Sequence, residues 1–170
     1  VDKLLDSVQK MTDKGKSIKF FPMGLGEPLL FPGLLDLFRK LKTIDQSIYI
    51  VLTTNGVPLK KSTFVELLNV GVDEITVSLN ADSPEGYKKV MGIDKYEIAL
   101  QNAINILRYK KERGLKFPKI SIQFIDSEYL KKSFYETLKF WFPHLSSNDK
   151  VYFHEIVSEA GTCDLAVRDR

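Results

Sequence analysis

The chain has 170 residues, 44% of them apolar, which suits one domain with an ordinary buried core. Lysine and arginine outnumber aspartate and glutamate by only 25 to 22, and the charges are spread along the chain, so charge does not imply nucleic acid. No window approaches the roughly 18 consecutive apolar residues of a membrane span, the amino terminus lacks the order of charges and apolar core of a signal peptide, and a single cysteine, Cys163, excludes an internal disulfide framework and any cysteine-pair metal site made by this chain alone. The chain reads as cytosolic.

Helical and strand patterns alternate from the start. Leu4, Leu5, Val8 and Met11 form one stripe of a helix over 2–14, and Gly15 suits its end. The run "SIKFFPM" (17–23) is long enough for a strand and too short for a helix. It leads into the corner "GLGEP", after which "PGLLDLFRKLK" repeats leucine and phenylalanine at helical spacing with Pro32 near the first turn. A β-branched and aromatic run predicts a strand at 48–53, "TTNG" punctuates it, and "KSTFVELLNVG" is an amphipathic helix closed by Gly71. The next strand is predicted at 73–79. "SPEGYKKVMG" opens with a Ser-Pro-Glu helix start, and "KYEIALQNAINILRYKKERG" is a long helix whose "RYKKER" end reads as a solvated face. A strand at 119–125, a helix over "SEYLKKSFYETLKFWF" and a strand at 151–157 complete the series. The domain is placed at 1–161, and the tail 162–170 does not continue the rhythm.

The strands are nearly all-apolar, the pattern of strands covered by helices in parallel sheets. Strand-helix alternation with right-handed crossovers gives either a doubly wound sheet or part of a barrel. Each of the first three strands ends in a polar or glycine-bearing signature: "GLGEP", "TTNG", then "SLN". Parallel strands place all of these on one rim, where α/β folds bind ligands. The fourth strand adds Gln123 within an apolar stretch. On the fifth, His154 and Glu155 alternate faces, so at most one points inward.

The ordered set "GLGEPLLFPGL", "TTNG", "VDEITVSLNADSPEGYKKVMG" and "PKISIQF" resembles the core of radical S-adenosylmethionine (radical SAM) enzymes. The branch it is most similar to often carries an extra cysteine-rich (SPASM) cluster domain and modifies peptides. The resemblance implies an α/β fold, a partial (β/α)6 barrel of the TIM type truncated before its first strand. It also implies S-adenosylmethionine across the carboxyl rim beside a [4Fe–4S] cluster, a reductant protein as electron source, and a peptide or small-molecule substrate. In the family, the segment matching Gly24, Leu25, Gly26 and Glu27 meets the methionine amino group through main-chain carbonyls, and small residues there let the backbone approach closely. Glu27 then braces the corner or meets the ammonium. The resemblance places Thr53, Thr54 and Asn55 near the ligand and makes Ser78 and Asn80 contacts to its carboxylate or ribose. Gln123 faces the ribose or adenine. Many relatives have aspartate where Asn80 stands, and an amide still offers a hydroxyl both a donor and an acceptor.

The family holds its cluster with Cys-x-x-x-Cys-x-x-Cys in a loop preceding the helix assigned to 2–14. The chain begins at that helix, so no cluster ligated by it is expected, and it reads as a fragment of a longer protein in which reduced cluster and S-adenosylmethionine together generate a 5′-deoxyadenosyl radical. Taken singly, the motifs have plainer readings: Gly-Glu-Pro and Asn55-Gly56 as turns, Ser78 as a strand-end hydroxyl, Gln123 as a satisfied buried amide. Two other classes compete. A sugar-phosphate enzyme would use the Gly24–Gly26 loop as a phosphate nest, and a non-catalytic nucleotide-binding or docking module would retain the rim for recognition alone.

Overall fold

The computed structural model describes residues 1–22, 24, 26–127 and 129–155, with Glu155 described by its main chain alone. Met23, Leu25, the strand residues expected at 156–157, Cys163 and the tail 162–170 lie outside the described residues. The elements run α1 (Asp2–Thr12), β1 (Lys19–Phe20), a short 3-10 turn (Pro28–Leu30), α2 (Leu34–Ile44), β2 (Tyr49–Thr54), α3 (Lys61–Asn69), β3 (Glu74–Ser78), α4 (Pro84–Met91), α5 (Tyr96–Glu112), β4 (Lys119–Asp126), α6 (Phe134–Trp141), a second 3-10 turn (Phe142–His144) and β5 (Lys150–Glu155).

Local chemistry explains most boundaries. Ser83 accepts the Gly86 amide at the start of α4, Pro84 occupies the first turn, and Gly92 closes the helix at φ +71°. Two expectations need correction. The first strand is two residues rather than seven, because Pro22 has no N–H to continue the ladder. Helix α6 begins at Phe134, well after Ser127, because Ser133 and Glu136 form a reciprocal capping box that sets the start there.

All neighbouring strands are parallel, and their order is β1-β2-β3-β4-β5. A doubly wound sheet reverses its strand order at a switch point. This strictly sequential order has no reversal and is that of a partial (β/α) barrel. The strands are also less uniformly apolar than their sequence suggested, and they alternate. Ile50, Leu52, Ile75, Val77, Ile120, Ile122 and Phe124 face one side, all 0–1% exposed, and share a core with Phe38, Leu41, Phe64, Ala103 and Leu107 of the helices. By register the other face carries Thr53, Thr76, Ser78, Ser121, Gln123 and Tyr152. That face is polar because in a barrel it is the inside, nearest the rim.

At the amino ends of the strands one device appears twice. Asp73, just before β3, accepts the Ile50 amide of β2 at 2.8 Å and pairs with Lys42 of α2 at 2.9 Å. Asp149, just before β5, accepts the Ile120 amide of β4 at 2.9 Å and the Ser146 amide at 2.9 Å, and pairs with Lys110 of α5. Both side chains of the second pair are fully buried. The reading of "RYKKER" as a solvated face is therefore wrong at Lys110: the residue lies on the inward stripe, and its charge is matched by an aspartate distant in sequence.

Truncating Lys110 to alanine leaves Asp149 charged and buried without its cation. The expected cost is on the order of 3–5 kcal/mol. Lys42→Ala should cost less, since the Asp73 side chain is 24% exposed and water can take over. Urea denaturation of both variants checks the ranking, and equal losses would show that burial of the pair is not what matters.

Candidate functional site

The corner after β1 is built around one carboxylate. Glu27 Oε1 accepts the Leu29 amide at 3.1 Å and the Thr54 hydroxyl at 2.7 Å, while Oε2 accepts the Asn55 amide at 2.7 Å. Glu27 thus caps the 3-10 turn that Pro28 starts and ties it to the end of β2. Of its two expected roles, bracing the corner is the one the geometry shows.

The Thr53-Thr54-Asn55-Gly56 segment is fixed from several directions. Asn55 Oδ1 accepts the Val57 amide at 2.9 Å, an Asx turn. Gly56 sits at φ +82°, and a Cβ there would meet Val77 Cγ1 at 2.9 Å, so only glycine fits. From below, the buried Tyr87 of α4 donates its hydroxyl to the Asn55 carbonyl at 3.1 Å, and Asn102 of α5 donates to the carbonyls of Gly56 and Val57 at 3.0 and 2.9 Å.

Between these segments and β3 lies a groove of about 380 Å³ at the carboxyl rim, and it gathers Gly26, Glu27, Thr53, Thr54, Asn55, Ser78 and Asn80. The remaining expected residues fall elsewhere. Gly24 lines a neighbouring cavity of about 290 Å³ with Phe20, Leu34 and Leu37, Leu25 is outside the described residues, and Gln123 stands behind Asn80 without lining the groove. Its amide donates to Asn80 Oδ1 at 3.4 Å and accepts the Tyr152 hydroxyl at 2.6 Å.

Asn80 stands just past the strand rather than on it. Strand β3 ends at Ser78, and Asn80 takes φ +59°, a left-handed conformation that asparagine tolerates better than most residues. Its amide donates to the Met91 sulfur at 3.2 Å, which leaves one N–H unspent.

The groove's polar groups divide into two sets. Thr54 and Glu27 spend their side chains on the loop itself, and Asn55 spends its Oδ1 there. The hydroxyls of Thr53 and Ser78 make no hydrogen bond to any described residue, and neither is sealed off from solvent. With the half-used amide of Asn80 they offer donors and acceptors to a ligand. Met91 and Ile93 close one side with apolar surface. Among the described residues no lysine or arginine lines the groove. Among the described residues no group of three His, Cys, Asp or Glu side chains could hold a metal ion. His154 shares the sheet face of Gln123 by register, is exposed, and stands 5.7 Å from the Tyr152 ring.

Sequence reasoning missed Met91, Ile93, Tyr87 and Asn102. Met91 and Tyr87 lie within the quoted "SPEGYKKVMG", yet nothing in helical spacing says that a helix end folds back over a strand end. Burial pushes the Tyr87 hydroxyl up to about 12, with the Glu27 charge adding to it. Tyr96 rises likewise to about 12 through burial first, then the charges of Asp82 and Glu97.

Comparison with known proteins adds three findings. Residues 1–117 match the family described as the Radical SAM superfamily. The GTP 3′,8-cyclase of Streptomyces coelicolor is 31% identical over 96 residues, 56% of this chain and 27% of that protein. Two crystal structures of SuiB from Streptococcus suis share the fold. The one bound to S-adenosylmethionine superposes at a TM-score of 0.67 with 17% identity, covering 97% of this chain and 36% of SuiB. The one bound to the precursor peptide SuiA gives 0.72 with 18% identity, covering 99% and 35%. The chain therefore spans well under half the length of these proteins. No helix among the described residues is long and apolar enough to cross a membrane.

Glu27→Gln replaces one accepting oxygen with an NH₂ that opposes a donor, the Asn55 amide or the Thr54 and Leu29 donors, and should destabilise the chain by about 1.5–3 kcal/mol in urea denaturation. Tyr87 and Tyr96 hold their protons more tightly folded than unfolded. Stability is thus fully present below their ordinary value of 10.0 and falls as pH rises toward about 12. Melting temperatures across that window should show the decline, shallower in Tyr87→Phe; an unchanged slope in that variant would remove Tyr87 as a contributor.

Proposed function

The chain belongs to the radical SAM superfamily, and on that premise we propose that its groove holds S-adenosylmethionine and that the whole protein is an enzyme which cleaves it reductively. The observation that carries the reading is the pair of hydroxyls, Thr53 and Ser78, that no described residue engages, beside the half-used Asn80 amide in a groove that no described lysine or arginine lines. A sugar-phosphate enzyme would need a cation or a set of free amides for its phosphate. A nucleoside with an amino-acid tail needs hydroxyl and amide partners, an apolar wall and main-chain carbonyls, and these residues fit it.

In this reading Ser78, Thr53 and Asn80 take the ribose hydroxyls or the carboxylate, and Met91 and Ile93 shield the base. The main chain around Gly24 and Gly26 receives the ammonium. Gly26 has φ +103°, and no atom stands within 4 Å of where a Cβ would be, so the approach is open and a side chain there is strained. Gln123, held by Tyr152, fixes the Asn80 amide rather than touching the ligand. The described residues do not fit a [4Fe–4S] cluster, and in the proposal its ligands lie outside them. S-adenosylmethionine, once reduced, supplies the carbon radical that removes a hydrogen atom from the substrate. The electron comes from a reductant protein.

The substrate is a peptide or a small molecule. SuiB has been crystallised with a precursor peptide, whereas the cyclase relatives are named for GTP.

Calorimetric titration of S-adenosylmethionine into the chain tests the groove. Ser78→Ala should weaken binding about tenfold, on the order of 1.5 kcal/mol for a hydrogen bond to a charged or hydroxyl group, and Gly26→Val should weaken it further through strain of about 1–3 kcal/mol. Unchanged affinity in both variants would mean that the groove is not the site. The whole protein, reconstituted anaerobically with iron and sulfide and then reduced, should release 5′-deoxyadenosine. Binding without that release would favour the docking module.

A further inference from the structure

A cavity of about 310 Å³ opens at the amino ends of β3, β4 and β5, lined by Glu74, Lys119, Ser121, Asn148 and Lys150. Glu74, Lys119 and Lys150 are the first residues of their strands, so neighbouring strands set two ammonium groups and one carboxylate around one space. The cavity is distinct from the groove: Glu74 precedes Ser78 by four residues of extended chain, roughly 13 Å.

Glu74 holds its partners loosely. Its side chain is only 16% exposed, yet Oε1 accepts the Ser121 hydroxyl at 3.2 Å and stands 3.7 Å from the Lys150 ammonium, and Oε2 accepts the Tyr49 hydroxyl at 3.4 Å. Hydroxyls ordinarily approach a carboxylate to about 2.5–2.7 Å and ammonium groups to about 2.7–2.9 Å. Glu27, Asp73 and Asp149 each hold a donor at 2.7–2.9 Å. Glu74 does not, and its lone pairs have room for one more donor.

The cations are no better matched. Lys150 is 60% exposed, and its one ion pair among the described residues is that long contact with Glu74, of a kind that contributes little. Lys119 pairs with no described carboxylate; it stands beside the Tyr49 hydroxyl, with the rings of Tyr49 and Phe117 5.7 and 5.9 Å away. Lys19 stands against the same Tyr49 ring and adds to the positive field without lining the cavity. Asn148 donates to the Lys116 carbonyl at 3.4 Å, and its Oδ1 accepts from no described residue.

A plain anion would suit the lysines but face the like charge of Glu74, and a plain cation would meet the reverse. A zwitterion satisfies both. Because the lining carries one more cation than anion, the matching ligand carries one more carboxylate than ammonium.

We infer that this cavity is a binding site for an acidic α-amino acid, whose carboxylates meet Lys119 and Lys150 and whose ammonium meets Glu74 and the Asn148 oxygen. The assignment does not rest on the reading of the groove.

Calorimetric titration of L-glutamate into the chain should show saturable binding. Glutarate, the same molecule without its ammonium, should bind roughly tenfold more weakly, and alanine, one carboxylate short, should also be weaker. In Glu74→Gln the affinity for glutamate should fall to that for glutarate, whereas Lys119→Gln should weaken both. Both variants leave the Asp73 anchor of β3 in place. Ser78→Ala should change neither affinity. No saturable binding of glutamate, glutarate binding as tightly as glutamate, or a preference for glutamate that persists in Glu74→Gln overturns the assignment. Glutamate binding lost in Ser78→Ala would locate it in the groove and overturn the assignment as well.

Discussion

The rim depends on the carboxylate of Glu27. Strand β1 contributes only two paired residues to the sheet, too little ladder to fix the long corner that follows it. Glu27 makes up the deficit by accepting from the 3-10 turn on one side and from Thr54 and Asn55 on the other. An ionised carboxylate only accepts, and each of its partners only has to donate, so the arrangement has one geometry and no alternative pairing. The groove lies between the two segments that this residue joins.

Strand alternation then decides which side chains remain for a ligand. Thr53 and Thr54 are adjacent, so their side chains leave β2 on opposite faces. Thr54 meets Glu27 and spends its hydroxyl there, whereas Thr53 faces the inner side with Ser78 in the neighbouring strand. Beneath the loop, Tyr87 and Asn102 donate to the carbonyls of Asn55, Gly56 and Val57. The polar groups offered to a ligand therefore stand on main chain fixed from both sides, which avoids part of the ordering cost of binding.

Much of this was legible in the sequence, for a physical reason. Turn chemistry is local: Glu27-Pro28, Asn55-Gly56 and Ser83-Pro84 each declare their geometry within a few residues, and parallel topology then brings the strand ends to one rim. What stayed hidden depends on partners far apart in the chain. Lys110 looks like any lysine in a charged helix end until Asp149 arrives beside it. Met91 closes the groove because Gly92 stops α4 at the height of Asn80, a matter of helix length and angle. The strands read as continuous apolar runs because threonine and valine are both β-branched strand formers, and the face they select emerges only with register. The start of α6 was readable in Ser133-x-x-Glu136, but the apolar residues before it carry helical spacing as well and pointed too far back.

The two ends of the sheet have been given opposite tasks. At the amino ends, two lysine–aspartate pairs fasten β2 to β3 and β4 to β5; a slip of one residue would leave Asp73 or Asp149 facing the wrong amide, so these pairs select register as much as they add stability. At the carboxyl ends the backbone is held as well, but no described residue pairs with the hydroxyls of Thr53 and Ser78 or with one N–H of Asn80. Polar groups left open at the rim forgo stabilisation that pairing would provide, and that is tolerable only because the charge pairs and the apolar core at the other end hold the strands in place. Barrel-type folds divide stability and ligand binding along the strand axis, and the proposed reading gives this chain the same division: Asp73 anchors the start of β3, and Ser78 ends it at the groove.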